Sequence, residues 1–124
     1  MILLWIALGG ALGSVARYLS VRGVQLAVGD ATPWGTTFVN VVGSFAMGFL
    51  VAFLARKYTD NDGLRFFLTT GFLGGFTTFS AFSQDVARLM QGGTNGVALF
   101  YILVSVVVSI AACFAGLAVA QSYG

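Results

Sequence analysis

Charged residues cut the chain into four long uncharged runs, at positions 1–16, 31–55, 66–84 and 89–124. A helix that crosses a bilayer needs about 20 mostly apolar residues. The runs therefore predict four spans, at roughly 2–22, 33–55, 65–90 and 96–121, within one transmembrane domain covering 1–124. No Lys or Arg precedes the first apolar run, and it reads into Arg17 without a small-residue cleavage site. It is expected to be a retained helix and not a signal peptide.

The connectors carry the turn chemistry. The first, 23–32, ends in Thr32-Pro33, where Thr32 as N-cap and Pro33 as first helical residue predict a helix start. The second, KYTDNDG at 57–63, is the most polar stretch. The third, QGGTNG at 91–96, is a Gly/Asn turn cluster. Trp5, Trp34, Tyr58 and Tyr123 fall near span ends, where amphipathic rings anchor at the interface.

Composition excludes most other classes. Only 8% of the residues are charged and 58% are apolar, whereas a soluble domain has roughly 25% charged residues. A small globule with so few charges cannot cover its surface with polar groups. The chain has no His, no Glu and one cysteine, Cys113. That removes His/Cys metal sites, an intrachain disulfide and His-dependent catalysis, so no enzyme is expected. A net charge of +2 gives no nucleic-acid footprint.

Charge does not orient the chain. Four spans put both termini on one side, with Arg56, Lys57 and Arg65, and leave Arg17, Arg22 and Arg88 on the other. An even division gives the positive-inside rule nothing to act on. Either a partner fixes the orientation or the chain inserts both ways and pairs antiparallel. Small residues four apart, such as Gly9/Gly13, Ser44/Gly48 and Gly71/Gly75, predict close helix packing. So thin a bundle leaves little room for a pore within one copy, and an oligomer follows.

The third span carries the densest pattern, TTGFLGGFTTFSAFS at 69–83. Gly71, Gly74 and Gly75 weaken a helix at its middle, and hydroxyls recur at every turn. Such hydroxyls can bond back to their own helix. Alternatively, the helix is discontinuous and its freed backbone groups bind an ion or line a wet cavity; the density of the pattern favours this. In the second span Asn40 is either interhelical glue or a donor facing a pathway. In the fourth, Tyr101, Ser105 and Ser109 form one stripe, continued by Cys113, which suits either a polar track or ordinary Ser packing. No acidic residue is expected near the membrane midplane, because Asp30, Asp60 and Asp62 lie in connectors and Asp85 lies toward a span end. An interior of neutral donors and Phe ring edges suits a small anion. Arg17 shares a face with Gly9 and Gly13, and either draws anions to an entrance or snorkels to the interface.

Taken together, these residues resemble the Fluc (CrcB-type) fluoride-channel family. The resemblance covers essentially the whole chain. It rests on Gly9-x3-Gly13-x3-Arg17, Asn40 in VNVVGS, the 69–83 block and the Tyr101/Ser105/Ser109 stripe. Ala81 departs from it, since members often carry Thr there. The resemblance implies an all-α integral membrane protein with four transmembrane helices, the third broken near its middle. It implies assembly as an antiparallel, dual-topology homodimer in the cytoplasmic (inner) membrane. It further implies two narrow pores that export fluoride passively. Phe79 and Phe82 would supply aromatic edges, Asn40, Tyr101, Ser105 and Ser109 polar contacts, and Arg17 a vestibule. A structural, non-permeating sodium ion would sit on the Gly74 and Thr77 carbonyls of both subunits. Two other readings remain: a small four-helix drug or guanidinium exporter, which the lack of any Glu disfavours, and a non-transporting scaffold, which leaves the polar third span unexplained.

Overall fold

The computed structural model describes residues 1–57 and 62–122. Tyr58, Asp60, Tyr123 and most of the 57–63 connector lie outside the described residues. Everything regular within them is helical: α1 (Ile2–Val28), α2 (Trp34–Lys57), α3 (Asp62–Phe66), a π-helical segment (Phe67–Leu73), α4 (Gly74–Phe76), α5 (Phe79–Gln91) and α6 (Asn95–Ser122). Helices α1, α2 and α6 are long and apolar enough to cross a membrane. The stretch predicted as a single span at 65–90 is built from α3, the π-helical segment, α4 and α5. The protein is a multi-pass membrane protein.

Element boundaries differ from the sequence reading where local signals are weak. Helix α1 continues past position 22 to Val28 and stops at Gly29, whose φ of +85° suits glycine and whose N–H returns to Gln25 O. The predicted 23–32 connector is shortened accordingly. Helix α2 begins at Trp34, just after Pro33. The α5–α6 turn falls within the predicted Gly/Asn cluster, with Gly93 at φ +82° and Thr94 Oγ1 donating to Leu89 O at 2.7 Å.

Backbone proximity, more than side-chain volume, holds the helices together. Helix α2 packs most extensively on α6, and α1 on the π-helical segment. A Cβ at Gly116 would overlap the Phe45 carbonyl, and one at Gly13 the Phe72 carbonyl. Removing side-chain bulk at such crossings lets backbones touch, the main packing device available where lipid is as apolar as the protein. Phe82, Leu89, Ala98 and Tyr101 form a small buried cluster between α5 and α6. Leu3, Leu12, Leu19, Leu99 and Phe114 face outward, as apolar residues do when hydrocarbon is the solvent.

Candidate functional site

The break in the third span sits at Thr77 and Thr78. Both are extended, with ψ of 158° and 123°, between α4 and α5. The Asn40 side chain clamps this junction. Its Nδ2 donates to Thr78 O at 3.0 Å, and Thr78 N–H donates to Asn40 Oδ1 at 2.8 Å. Thr78 then caps α5, its Oγ1 accepting from Ala81 N–H at 3.1 Å.

These bonds decide which carbonyls are released. In a continuous helix Thr78 N–H would donate to Gly74 O, and Ala81 N–H to Thr77 O. Both donors are turned elsewhere. The Gly75 carbonyl is taken by Arg17 Nε at 3.1 Å. The two hydroxyl readings of this span coexist. Thr69, Thr77 and Ser83 donate back to Arg65 O, Leu73 O and Phe79 O, and the helix is nonetheless discontinuous. Asn40 is interhelical glue, and it also borders the cavity described next.

A groove of about 350 Å³ runs between α2, α5 and α6. Asn40, Thr78, Phe79, Phe82, Ser105 and Ser109 line it, with Cys113 one turn beyond Ser109. Among the described residues, no charged side chain lines it. Phe79 is 76% exposed at its rim, while Phe82 is 7% exposed. Their rings lie 5.7 Å apart at 43°, so they are not parallel-stacked. Ser105 Oγ lies 2.8 Å from Thr37 Oγ1. Among the described residues, Ser109 Oγ is buried without any hydrogen-bond partner. The groove thus offers neutral O–H and N–H donors and aromatic rings, whose edges carry positive partial charge.

Tyr101 is not among the groove's lining residues. It lies behind Phe82, with ring centroids 5.3 Å apart, and is fully buried. Its hydroxyl donates to Asp85 Oδ2 at 3.2 Å, and Thr36 Oγ1 donates to the same oxygen at 2.7 Å. Arg88 pairs with Asp85 Oδ1 at 3.0 Å. Asp85 is therefore a buried carboxylate, 8% exposed, and not the span-end charge expected from its position. Its oxygens are engaged by Thr36, Tyr101 and Arg88. A second cavity of about 180 Å³ is bordered by Arg17, Gln25, Thr36, Thr78, Asp85 and Arg88. Arg17 points into the bundle at Gly75 O instead of snorkelling outward, and it shares this cavity with Asp85.

Thr36, Thr37, Thr78 and Asp85 escaped the sequence reading as site residues. A signal was present: Thr36/Thr37, Asn40 and Gly43/Ser44 follow one another at helical spacing on α2. That stripe faces the hydroxyl stripe of α6.

The Gly74 and Thr77 carbonyls are oxygen donors of the type a hard cation takes. Both are oxygen donors released from helical bonding, and among the described residues no cluster of three His, Cys, Asp or Glu competes as a metal site. Hard monovalent and divalent cations take such oxygen ligands.

Residues 4–117 match the family described as CrcB-like protein, Camphor Resistance (CrcB). The chain is 53% identical over 120 residues to the "Fluoride-specific ion channel FluC" of Chelativorans sp. (strain BNC1), covering 97% of this chain and 96% of that one. It is 54% identical over 118 residues to the protein of the same name from Agrobacterium fabrum (strain C58 / ATCC 33970), covering 94% of each. With the Rhizobium meliloti (strain 1021) protein, also so named, identity is 49% over 120 residues, covering 97% of this chain and 96% of that one. A match over residues 4–117, a range that contains the break and the groove, places this chain in the CrcB-like protein family.

Proposed function

We propose that the protein is a passive fluoride channel of the inner membrane, working as an antiparallel homodimer with one pore along each groove. The observation that carries this reading is the groove itself: an unpartnered buried Ser109 hydroxyl on a wall shared with the Phe79 and Phe82 rings, with no charged lining residue among those described. Relatives about half identical and of equal length, named as fluoride-specific ion channels, support the same ligand. The protein is not an enzyme.

Fluoride holds its water tightly, so its dehydration is the main barrier. Conduction needs ligands that replace that water without trapping the ion. Ser105 and Ser109 provide neutral O–H donors one helical turn apart. The ring edges of Phe79 and Phe82 provide weaker positive contacts. Asn40 spends one amide N–H on Thr78 O and has a second to offer the groove. Arg17 lies beyond Thr78, in the second cavity, as a vestibule cation. Tyr101 contributes as support for Phe82, since its single proton is given to Asp85.

The released Gly74 and Thr77 carbonyls, contributed by two copies at the dimer axis, would hold a sodium ion. When bound, that ion supplies fixed positive charge between two anion paths. Lipid covers the remaining apolar faces.

A cation exporter requires an embedded carboxylate that is free to bind its substrate, and Asp85 is occupied by three partners. Fluoride efflux from proteoliposomes without a proton gradient tests the reading. Efflux down the fluoride gradient, independent of any proton gradient, is expected. Efflux that needs a proton gradient would replace the channel with an exporter, and no efflux would favour a scaffold.

A further inference from the structure

The pairing of Thr37 with Ser105 has a direction that the distance alone does not give. Each hydroxyl has one proton and can accept from the other. The two oxygens are 2.8 Å apart, and the one other contact of either hydroxyl is a weak one between Thr37 and the Tyr101 hydroxyl. One of the two protons fills this bond, and the other is left over.

The surroundings decide which. Thr37 is 8% exposed and borders neither cavity, whereas Ser105 lines the groove. Suppose Ser105 donated to Thr37. The Thr37 proton would then be buried with only the Tyr101 oxygen as acceptor, the weakest of the contacts acting on that hydroxyl, and a buried donor so poorly paired is disfavoured. Tyr101 can accept while it donates to Asp85, but the Thr37–Tyr101 contact does not reach the geometry of the 2.8 Å Thr37–Ser105 bond. A relay from Ser105 through Thr37 to Tyr101 therefore has a poor second link. If Thr37 donates instead, the leftover proton belongs to Ser105 and opens onto the groove, where an anion can take it.

We infer that Thr37 is a positioning residue: by donating to Ser105 Oγ it holds the Ser105 proton toward the groove as an anion donor. Ser105 and Ser109 then present two O–H groups in sequence, about 6 Å apart along the helix, between which a dehydrated anion can pass. Thr36 and Thr37 thereby divide the α6 stripe. Thr36 joins Tyr101 on Asp85, away from the groove, and Thr37 directs Ser105 into it. Without Thr37, Ser105 can donate to a carbonyl of its own helix, as Thr69, Thr77 and Ser83 do.

This inference rests on the channel reading, and the test separates the two. Fluoride efflux from liposomes is measured for the wild type, Thr37→Val, Thr37→Ser, Ser105→Ala and the Thr37→Val/Ser105→Ala pair. Val keeps the shape of Thr without its hydroxyl, and an about tenfold loss of flux is expected, the equivalent of one hydrogen bond. Ser at 37 should restore most of it. In the Ser105→Ala background, Thr37→Val should cost nothing further, because Thr37 acts only through Ser105. Full flux in Thr37→Val, or an equal loss in both backgrounds, would overturn the inference. Should the Val variant fail to reconstitute, Thr37→Ala in the same two backgrounds gives the same comparison. Absent efflux in the wild type would overturn the channel reading and this inference with it.

Discussion

Asn40→Asp puts the clamp and the proposed anion path to the test together. The change is nearly isosteric, so the groove keeps its shape at first order. Thr78 N–H still finds an acceptor at 2.8 Å, and a better one. The opposite half of the clamp fails: a carboxylate oxygen now faces Thr78 O where Nδ2 had donated at 3.0 Å. Leaving that carbonyl unsatisfied costs about 1–3 kcal/mol. The charge acts on the ion as well. With an effective dielectric constant near 20 and a separation of about 6 Å across the groove, a carboxylate raises the energy of an anion by roughly 3 kcal/mol. That corresponds to about a hundredfold in occupancy. Fluoride efflux from proteoliposomes at neutral pH, followed with a fluoride electrode, should fall by at least that factor. Asn40→Leu separates the contributions. It breaks both bonds without adding charge and frees Thr78 N–H to return to Gly74 O, closing the break. Flux should fall there too, together with the thermal stability of the assembly. Wild-type flux in Asn40→Asp would refute both the clamp and the path beside it.

Four further outcomes are expected. Phe79→Ile and Phe82→Ile keep apolar bulk but remove the ring edges, so fluoride flux should drop at least tenfold with the dimer still assembled on size exclusion; unchanged flux in both would make these rings packing only. Thr77→Ser should be tolerated because the proposed cation contact is a backbone carbonyl, whereas a bulky residue at Gly74 should abolish assembly or flux, and exchanging sodium for a large organic cation during purification should lower activity or dimer stability. Adding two or three Lys to the 57–63 loop should fix one orientation and impair self-assembly, while a tag after Gly124 on the unmodified loop should label from both sides of the membrane; one-sided labelling would sink dual topology. Gly116→Ala sets a Cβ against the Phe45 carbonyl, with α2 and α6 forced apart, and a melting temperature lower by several degrees should report the 1–3 kcal/mol typical of overpacking.

The parts of this molecule that were legible in its sequence are those specified locally. Four apolar runs and Gly71, Gly74 and Gly75 announce spans and a weakened helix, because length, hydropathy and backbone freedom are properties of neighbours. The π-helical segment was not legible. Its register shows in Gly74 N–H reaching back to Thr69 O as well as Gly71 O, while Gly71 rests against the α1 backbone at Ile6 and Gly9. That fit depends on a helix sixty residues away. Asp85 failed for the same reason: a single Asp near the end of an apolar run reads as an interfacial charge, and only Thr36 and Tyr101, on two other helices, make it a buried one. Tyr101 failed in the opposite direction. Helical spacing put it correctly on the stripe with Ser105 and Ser109, but spacing cannot say that Phe82 stands between it and the groove.

On the proposed reading, the groove also gives a physical reason for two copies of the chain. Its floor holds a hydroxyl with no partner, and its rim holds an aromatic ring that is three-quarters exposed. Against hydrocarbon, such a floor would leave Ser109 unsatisfied, at about 1–3 kcal/mol, and would give a dehydrated anion nothing on one side. The Gly74 and Thr77 carbonyls raise the same difficulty: two released oxygens are too few to replace the several ligands a hard cation takes. In the proposed dimer a second copy would meet both deficits. It would close each groove with a protein wall, bring a second pair of carbonyls to the axis, and exchange the exposed face of Phe79 from lipid to protein. Antiparallel pairing would do this with a single self-complementary surface, and it requires only that the chain enter the membrane in both orientations, which an even division of Arg and Lys does not oppose.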